Sequence, residues 1–277
     1  MRRLAVIGYP VGHSRSPQMH NAALRKLGLA GEYAYDRVEA APAEFAARVR
    51  EMAAGEYVGA NVTVPHKEAA LALADTASEE AAAIGAANTL LFEGEAIAAA
   101  NTDAGGLLGA LAGAGAPGGG RALVLGAGGA ARAAAWALAR GGAGVEGMAV
   151  DVWNRTTAKA AALHRDLVAP AGRGGKPVER PRQADYEVIV NTTSVGLQGE
   201  DPFVELPLEP GGFRPGQLVV DMVYGERPSA LLAAAAAAGA TTVDGIEVLV
   251  RQGALSLELW TGREAPVEAM RAAARAG

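Results

Sequence analysis

The sequence predicts an α/β protein of two domains, the second built on a mostly parallel sheet. Three features carry that expectation. At 277 residues the chain is long for one core and comfortable for two. Short apolar runs alternate with helical segments, the pattern of strands covered by helices on both faces. A Gly-rich stretch, residues 113–120, interrupts that alternation.

The elements are expected in the following order. Leu4–Tyr9 is a short apolar run and reads as a buried strand. Pro17–Leu27 reads as a helix with Ser16 as its N-cap, Pro17 in the first turn and Gly28 closing it. A strand follows at Glu32–Val38, a helix at Ala43–Ala54 and a strand at Tyr57–Val64 that Pro65 stops. Helices are expected at His66–Ala74 and Ser78–Ile84. Asn88–Phe92 and Ala96–Ala100 flank Glu93-Gly94-Glu95, a hairpin signal. The helix Ala104–Ala112 and the Gly-rich loop after it form the crossing between domains. Strands at Ala122–Leu125, Met148–Trp153, Val188–Asn191 and Leu218–Val223 then alternate with helices at Ala130–Arg140, Thr157–Leu167 and Ser229–Ala238. Asp244–Gly262 and Pro266–Ala276 read as closing helices. The expected domains are residues 1–103, completed by 245–277, and residues 104–244.

Composition narrows the function classes. A net charge of −5 and a pI near 5.5 leave no basic stripe for nucleic acid or a membrane surface. There are no cysteines, so disulfides, thiolate metal sites and Cys nucleophiles are excluded. The four histidines show no metal-ligand spacing, and no metal is expected. The longest apolar run, residues 230–238, is far short of the ~18 residues that span a membrane. A cytoplasmic protein is expected, as a monomer or homodimer, with a small molecule as its partner.

Leu123-Val-Leu-Gly126-Ala127-Gly128-Gly129-Ala130-Ala131 fits G-x-G-x-x-A between a strand and a helix. The glycines permit a tight turn and close approach of backbone to a pyrophosphate, and the helix N-terminus offers it free N–H groups. This is a Rossmann-type signature. The next strand ends in Asn154-Arg155-Thr156, with Lys159 one turn on. NAD sites place an acid here for the ribose 2′-hydroxyl; an arginine instead pairs with a 2′-phosphate. NADP is therefore the expected cofactor. Asp151 lies near the spacing of the missing acid, but strand alternation makes it a mid-strand residue.

Four clusters place polar side chains in apolar surroundings. Ser14 and Ser16, beside a helix start, can bind a carboxylate. Asn61 and Thr63 share one strand face, with Lys67 just past its end. Asn88-Thr89 and Asn101-Thr102-Asp103 complete the set. Taken by itself, Asp103 has a second reading, as the cap of the helix that follows, just as Ser16 has one as an N-cap.

Together these segments resemble the shikimate dehydrogenase family. Gly12-His-Ser-Arg-Ser-Pro17, Asn61-Val-Thr-Val-Pro-His-Lys67, Ala87-Asn-Thr89, Asn101-Thr-Asp103, Gly126-Ala-Gly-Gly-Ala130, Asn154-Arg-Thr156 and Asp221-Met-Val-Tyr224 fall in the family's order. Asp244-Gly245 and Arg251-Gln252-Gly253 also fit, so the resemblance spans nearly the whole chain. It implies reversible NADPH-dependent reduction of 3-dehydroshikimate to shikimate in aromatic amino-acid (chorismate) biosynthesis. It implies Lys67 and Asp103 as the catalytic acid–base pair, and Ser14 and Ser16 on the substrate carboxylate. Thr63, Asn88 and Gln252 would contact ring hydroxyls, with Asn61 supporting the same site. Tyr224 and Gly245 would line the cleft where nicotinamide meets substrate, Tyr224 on the substrate side and Gly245, with Met222, on the cofactor side. Ala87 and Ala104 depart from the family's usual Val and Gly without removing a functional group. Two other readings stay open on the sequence, a dehydrogenase for quinate or a related polyol acid and a non-catalytic NADP-binding sensor.

Overall fold

The computed structural model describes residues 1–225 and 227–276. The chain divides into two units, Met1–Gly106 with Leu249–Gly277, and Leu107–Val248.

The first unit is built on a six-stranded mixed sheet. Its strands are β1 (Arg2–Gly8), β2 (Tyr33–Glu39), β3 (Tyr57–Val62), β4 (Thr76–Ala77), β5 (Thr89–Glu93) and β6 (Ala96–Ala100), in the order β2-β1-β3-β5-β6-β4. β1 lies between β2 and β3, parallel to both, and is buried from Leu4 to Gly8. The expected β5–β6 hairpin forms, with β5 antiparallel to β3 as well. Helices α1 (Ser16–Lys26), α2 (Phe45–Ala54), α3 (Lys67–Leu73) and α4 (Glu79–Ile84) connect the strands, and α5 (Asp103–Gly113) follows β6 and carries the chain into the second unit. Ile7, Phe45, Val49, Val62, Leu90 and Phe92 belong to one buried apolar cluster.

The second unit carries a five-stranded sheet, parallel throughout. Its elements begin with β7 (Arg121–Leu125), α6 (Gly129–Arg140), a short hairpin β8 (Gly141–Gly142) and β9 (Val145–Glu146), then β10 (Ala149–Trp153) and α7 (Thr157–Leu163). β11 (Val188–Asn191), α8 (Pro202–Glu205), β12 (Leu218–Asp221), α9 (Ala230–Ala237) and β13 (Thr241–Asp244) follow. The sheet order is β10-β7-β11-β12-β13, every pair parallel. α6 buries Ala131, Ala133, Ala134, Ala135, Ala137 and Ala139, small side chains that permit close packing. Leu123, Leu125, Ile189, Val219, Leu231 and Leu232 form this unit's core. Helices α10 (Gly245–Thr261) and α11 (Val267–Ala276) close the chain. Among the described residues no helix is long and apolar enough to cross a membrane.

Four expectations are corrected. Ser16 is the first residue of α1, not its N-cap; Arg15 holds that position without a side-chain cap. The Ser14 hydroxyl instead accepts the Ser16 N–H at 3.3 Å, so the helix starts one residue early. β3 stops at Val62, leaving Thr63 beyond the strand. Asp244 ends a strand rather than opening a helix, and its side chain caps α10 by accepting the Glu247 N–H at 3.0 Å. The helix after β10 leaves the α form at Leu163 and continues as a π turn, His164–Val168.

Candidate active site

In the first unit the site forms where α3, α5 and α10 meet the ends of the central strands β3 and β5. Lys67 opens α3, and its carbonyl accepts the Ala87 N–H at 2.8 Å. His66 anchors that start, with Nε2 2.8 Å from the Ala40 carbonyl and its ring stacked on Phe45. Asp103 opens α5 but does not cap it. The Asn101 side-chain oxygen takes that role, accepting the N–H of Asp103 at 3.0 Å and of Ala104 at 3.3 Å. The Asp103 carboxylate is therefore available, and the second reading of it fails. The Lys67 ammonium donates to Asp103 Oδ2 at 2.6 Å. Both side chains are largely buried, 13% and 10% exposed, so solvent screens this pair little.

Asn88 joins the pair to α10. Its Oδ1 accepts the Thr102 N–H at 2.7 Å, which fixes the amide's orientation. Its Nδ2 then lies 3.0 Å from Asp103 Oδ1 and 2.9 Å from Gln252 Oε1. Gln252 is held in turn by donating to the Leu249 carbonyl at 2.8 Å. Gly106 makes this contact possible, because a Cβ there would sit 2.6 Å from Gln252 Cβ. Lys67, Asp103, Asn88 and Gln252 thus form one contiguous polar group.

Asn61 is tied to that group from behind. Its Nδ2 donates to Ser256 Oγ at 2.8 Å, and its Oδ1 accepts the Tyr35 hydroxyl at 2.8 Å. Ser256 also meets Thr89 and Thr102, at 2.8 and 3.0 Å. Tyr35 and Ser256 carry no sequence signal that would place them at the site. Ser14 and Ser16 are buried at the start of α1, and Thr63 lies just past β3. Among the described residues no hydrogen bond joins these three to the Lys67–Asp103 group.

His20, fully buried, stacks on Tyr35 with ring centroids 4.2 Å apart. Burial pushes its imidazole from the ordinary 6.5 down to about 3, opposed by the Asn61 side chain. In the window between those two values the unfolded chain binds the proton that the folded chain refuses, so stability must fall as pH falls. One pKa unit is ~1.4 kcal/mol, and lowering the pH from about 6.5 to about 5 should cost ~2 kcal/mol from this residue. Urea unfolding at the two pH values tests this: His20→Phe should lose that slope, and an equal slope in both proteins would refute it.

In the second unit β7 runs into the Gly-rich turn as expected. Gly126 has φ +118°, and a Cβ there would lie 2.5 Å from Thr192 Oγ1, so only glycine fits. Gly128 is at the N-cap of α6, with nothing within 4 Å of an added Cβ. Ala127, Gly129 and Ala130 are half-buried around that exposed glycine at the helix N-terminus, an arrangement that fits a pyrophosphate. Arg155, Thr156 and Lys159 are exposed just past β10, and Asn154 donates to the Thr156 carbonyl at 3.1 Å. Asp151 is buried mid-strand, accepting from Arg121 and the Tyr186 hydroxyl, both at 2.8 Å, and from the Lys176 N–H at 2.9 Å. It is fully used and does not compete for the ribose. Met222 donates its N–H to the Asn191 carbonyl at 3.0 Å, and a Cβ at Gly245 would collide with the Met222 carbonyl oxygen.

The chain is 44% identical over 263 residues to a shikimate dehydrogenase (NADP(+)) of Acidiphilium cryptum, covering 94% of this chain and 91% of the relative. The chain belongs to the shikimate dehydrogenase family. Residues 6–90 match the family's substrate binding domain and residues 245–275 its C-terminal domain. The shikimate 5-dehydrogenase of Thermus thermophilus, solved with NADP(H) and shikimate, superposes with a TM-score of 0.85 at 42% identity, covering 100% of this chain and 99% of that one. A 5-ketofructose reductase of Gluconobacter also superposes, with a TM-score of 0.83 at 29% identity over 99% of this chain and 98% of its own.

Proposed function

We propose that this chain catalyses the reversible, NADPH-dependent reduction of 3-dehydroshikimate to shikimate, in the cytoplasm. The observation that carries the reading is the Lys67–Asp103 pair, 2.6 Å apart and held by Asn88. When bound, NADPH supplies a hydride to the ketone carbon. The ketone oxygen then gains charge and needs a proton at the same moment. The Lys67–Asp103 pair supplies that proton and stabilises the charge; in the oxidative direction it accepts the proton back. Asn88 and Gln252 orient the ring hydroxyls, with Thr63 and Tyr224. Ser14 and Ser16 take the carboxylate, and Asn61 braces the group. The Gly126–Ala130 turn binds the pyrophosphate. Asn154, Arg155, Thr156 and Lys159 read the 2′-phosphate, and Met222 and Gly245 meet the nicotinamide.

The test is a set of initial rates followed by nicotinamide absorbance, with shikimate and quinate each offered against NADP and NAD. Shikimate with NADP should give the highest kcat/KM of the four. A quinate preference would reassign the substrate, and no turnover in any pairing would leave only a cofactor-binding protein.

A further inference from the structure

We infer that Asp221 is a positioning residue for the nicotinamide end of the cofactor, acting through one buried carboxylate that ties together the chain segments lining it. The inference rests on the NADP reading above. In the sheet order β10-β7-β11-β12-β13, strands β10 and β11 flank β7 on opposite sides. The phosphate turn follows β7, and the Asn154–Thr156 segment follows β10. A dinucleotide crossing the turn with its adenosine towards β10 must carry its other end over the carboxyl ends of β11 and β12.

Asn191 and Asp221 are the last residues of those two strands and are register partners. Asp221 Oδ1 accepts Asn191 Nδ2 at 2.9 Å and the Val223 N–H at 3.1 Å. Its Oδ2 accepts the Ser229 hydroxyl at 2.5 Å. Asn191 Oδ1 accepts both the N–H and the hydroxyl of Thr193, which fixes which way the amide points. Ser229 caps α9, accepting the Leu232 N–H at 3.3 Å. The end of β11, the segment after β12 and the start of α9 therefore share one side chain, and Asn191 carries the link on to Thr193 in the turn after β11. These are the segments that must face the nicotinamide.

A carboxylate is an expensive choice for this place. Asp221 is 2% exposed and its three donors are neutral; burial pushes its carboxyl above the ordinary value, opposed by the bonds from Ser229, Val223 and Asn191. Only a carboxylate has acceptor oxygens on both sides for three donors from three segments. Asparagine offers one such oxygen, and alanine none.

The experiment compares two ligands on the full chain. NADPH binding is followed by its fluorescence, and adenosine 2′,5′-bisphosphate, which has the 2′-phosphate but no nicotinamide, by calorimetry. Asp221→Ala should weaken NADPH by ~10-fold or more and leave the bisphosphate within about twofold. Asp221→Asn should fall between the wild type and Asp221→Ala, and it serves alone if the alanine variant does not fold. Equal losses for both ligands would make Asp221 an ordinary structural residue and overturn the inference. Unchanged NADPH affinity in both variants would overturn it too. A wild-type chain that binds neither ligand would overturn the NADP reading itself.

Discussion

Lys67→Ala and Asp103→Asn should each lower kcat for shikimate oxidation by ~10²–10⁴ while the enzyme still binds shikimate. The size follows from the geometry. The ammonium and the carboxylate are 2.6 Å apart and nearly buried, so neither can be replaced by water without reorganising the site. Losing Lys67 removes half of the pair that must take up the proton of the substrate hydroxyl in this direction. Losing the Asp103 charge leaves the lysine without its orienting partner, although Asn88 and Gln252 remain. Substrate affinity should survive because Ser14 and Ser16 lie in another segment, at the start of α1. The measurement is steady-state kcat alongside direct titration of shikimate binding. A large loss of affinity with kcat intact would assign the pair to binding rather than proton transfer.

Arg155→Ala should weaken NADP binding by roughly 10- to 100-fold and leave NAD use nearly unchanged. A hydrogen bond to a charged group is worth ~1.5–3 kcal/mol, and that converts to this range. Arg155 is exposed, so the effect should shrink as salt is raised. Asp151, the acid nearest this position in the sequence, cannot take over the ribose contact, since its carboxylate is held by Arg121, Tyr186 and Lys176. KM for each dinucleotide, taken at two salt concentrations, checks the prediction. Equal losses with NADP and NAD would remove Arg155 from the choice of cofactor.

Much of this site is legible in the chain because its chemistry sits in short runs. Gly126 to Ala131 follows a strand and opens a helix, Gly126 has a local steric reason to be glycine, and the structure places the run at the junction of β7 and α6 as expected. Lys67 and Asp103 stand out as charges beside apolar segments. The bracing around them is not legible. Tyr35 meets Asn61 across 26 positions, and Asn61 meets Ser256 across 195. No local pattern marks a tyrosine on a strand or a serine within a helix as members of one polar group. β13 escapes detection because Thr241-Thr-Val-Asp244 has one buried residue and leads straight into a helix, leaving no alternation to read. Ser16 fails as a cap because the Ser14 hydroxyl already meets the first N–H of the helix, a competition between two serines that residue preference cannot decide.

Whether Lys67 and Asp103 work as one device is tested most directly by a double-mutant cycle on kcat with shikimate. Lys67→Ala/Asp103→Asn should lose little more than the worse of the two single variants, since either change already disables the shared proton transfer. Losses that add in the free energy of activation would show two residues acting independently, and would contradict it.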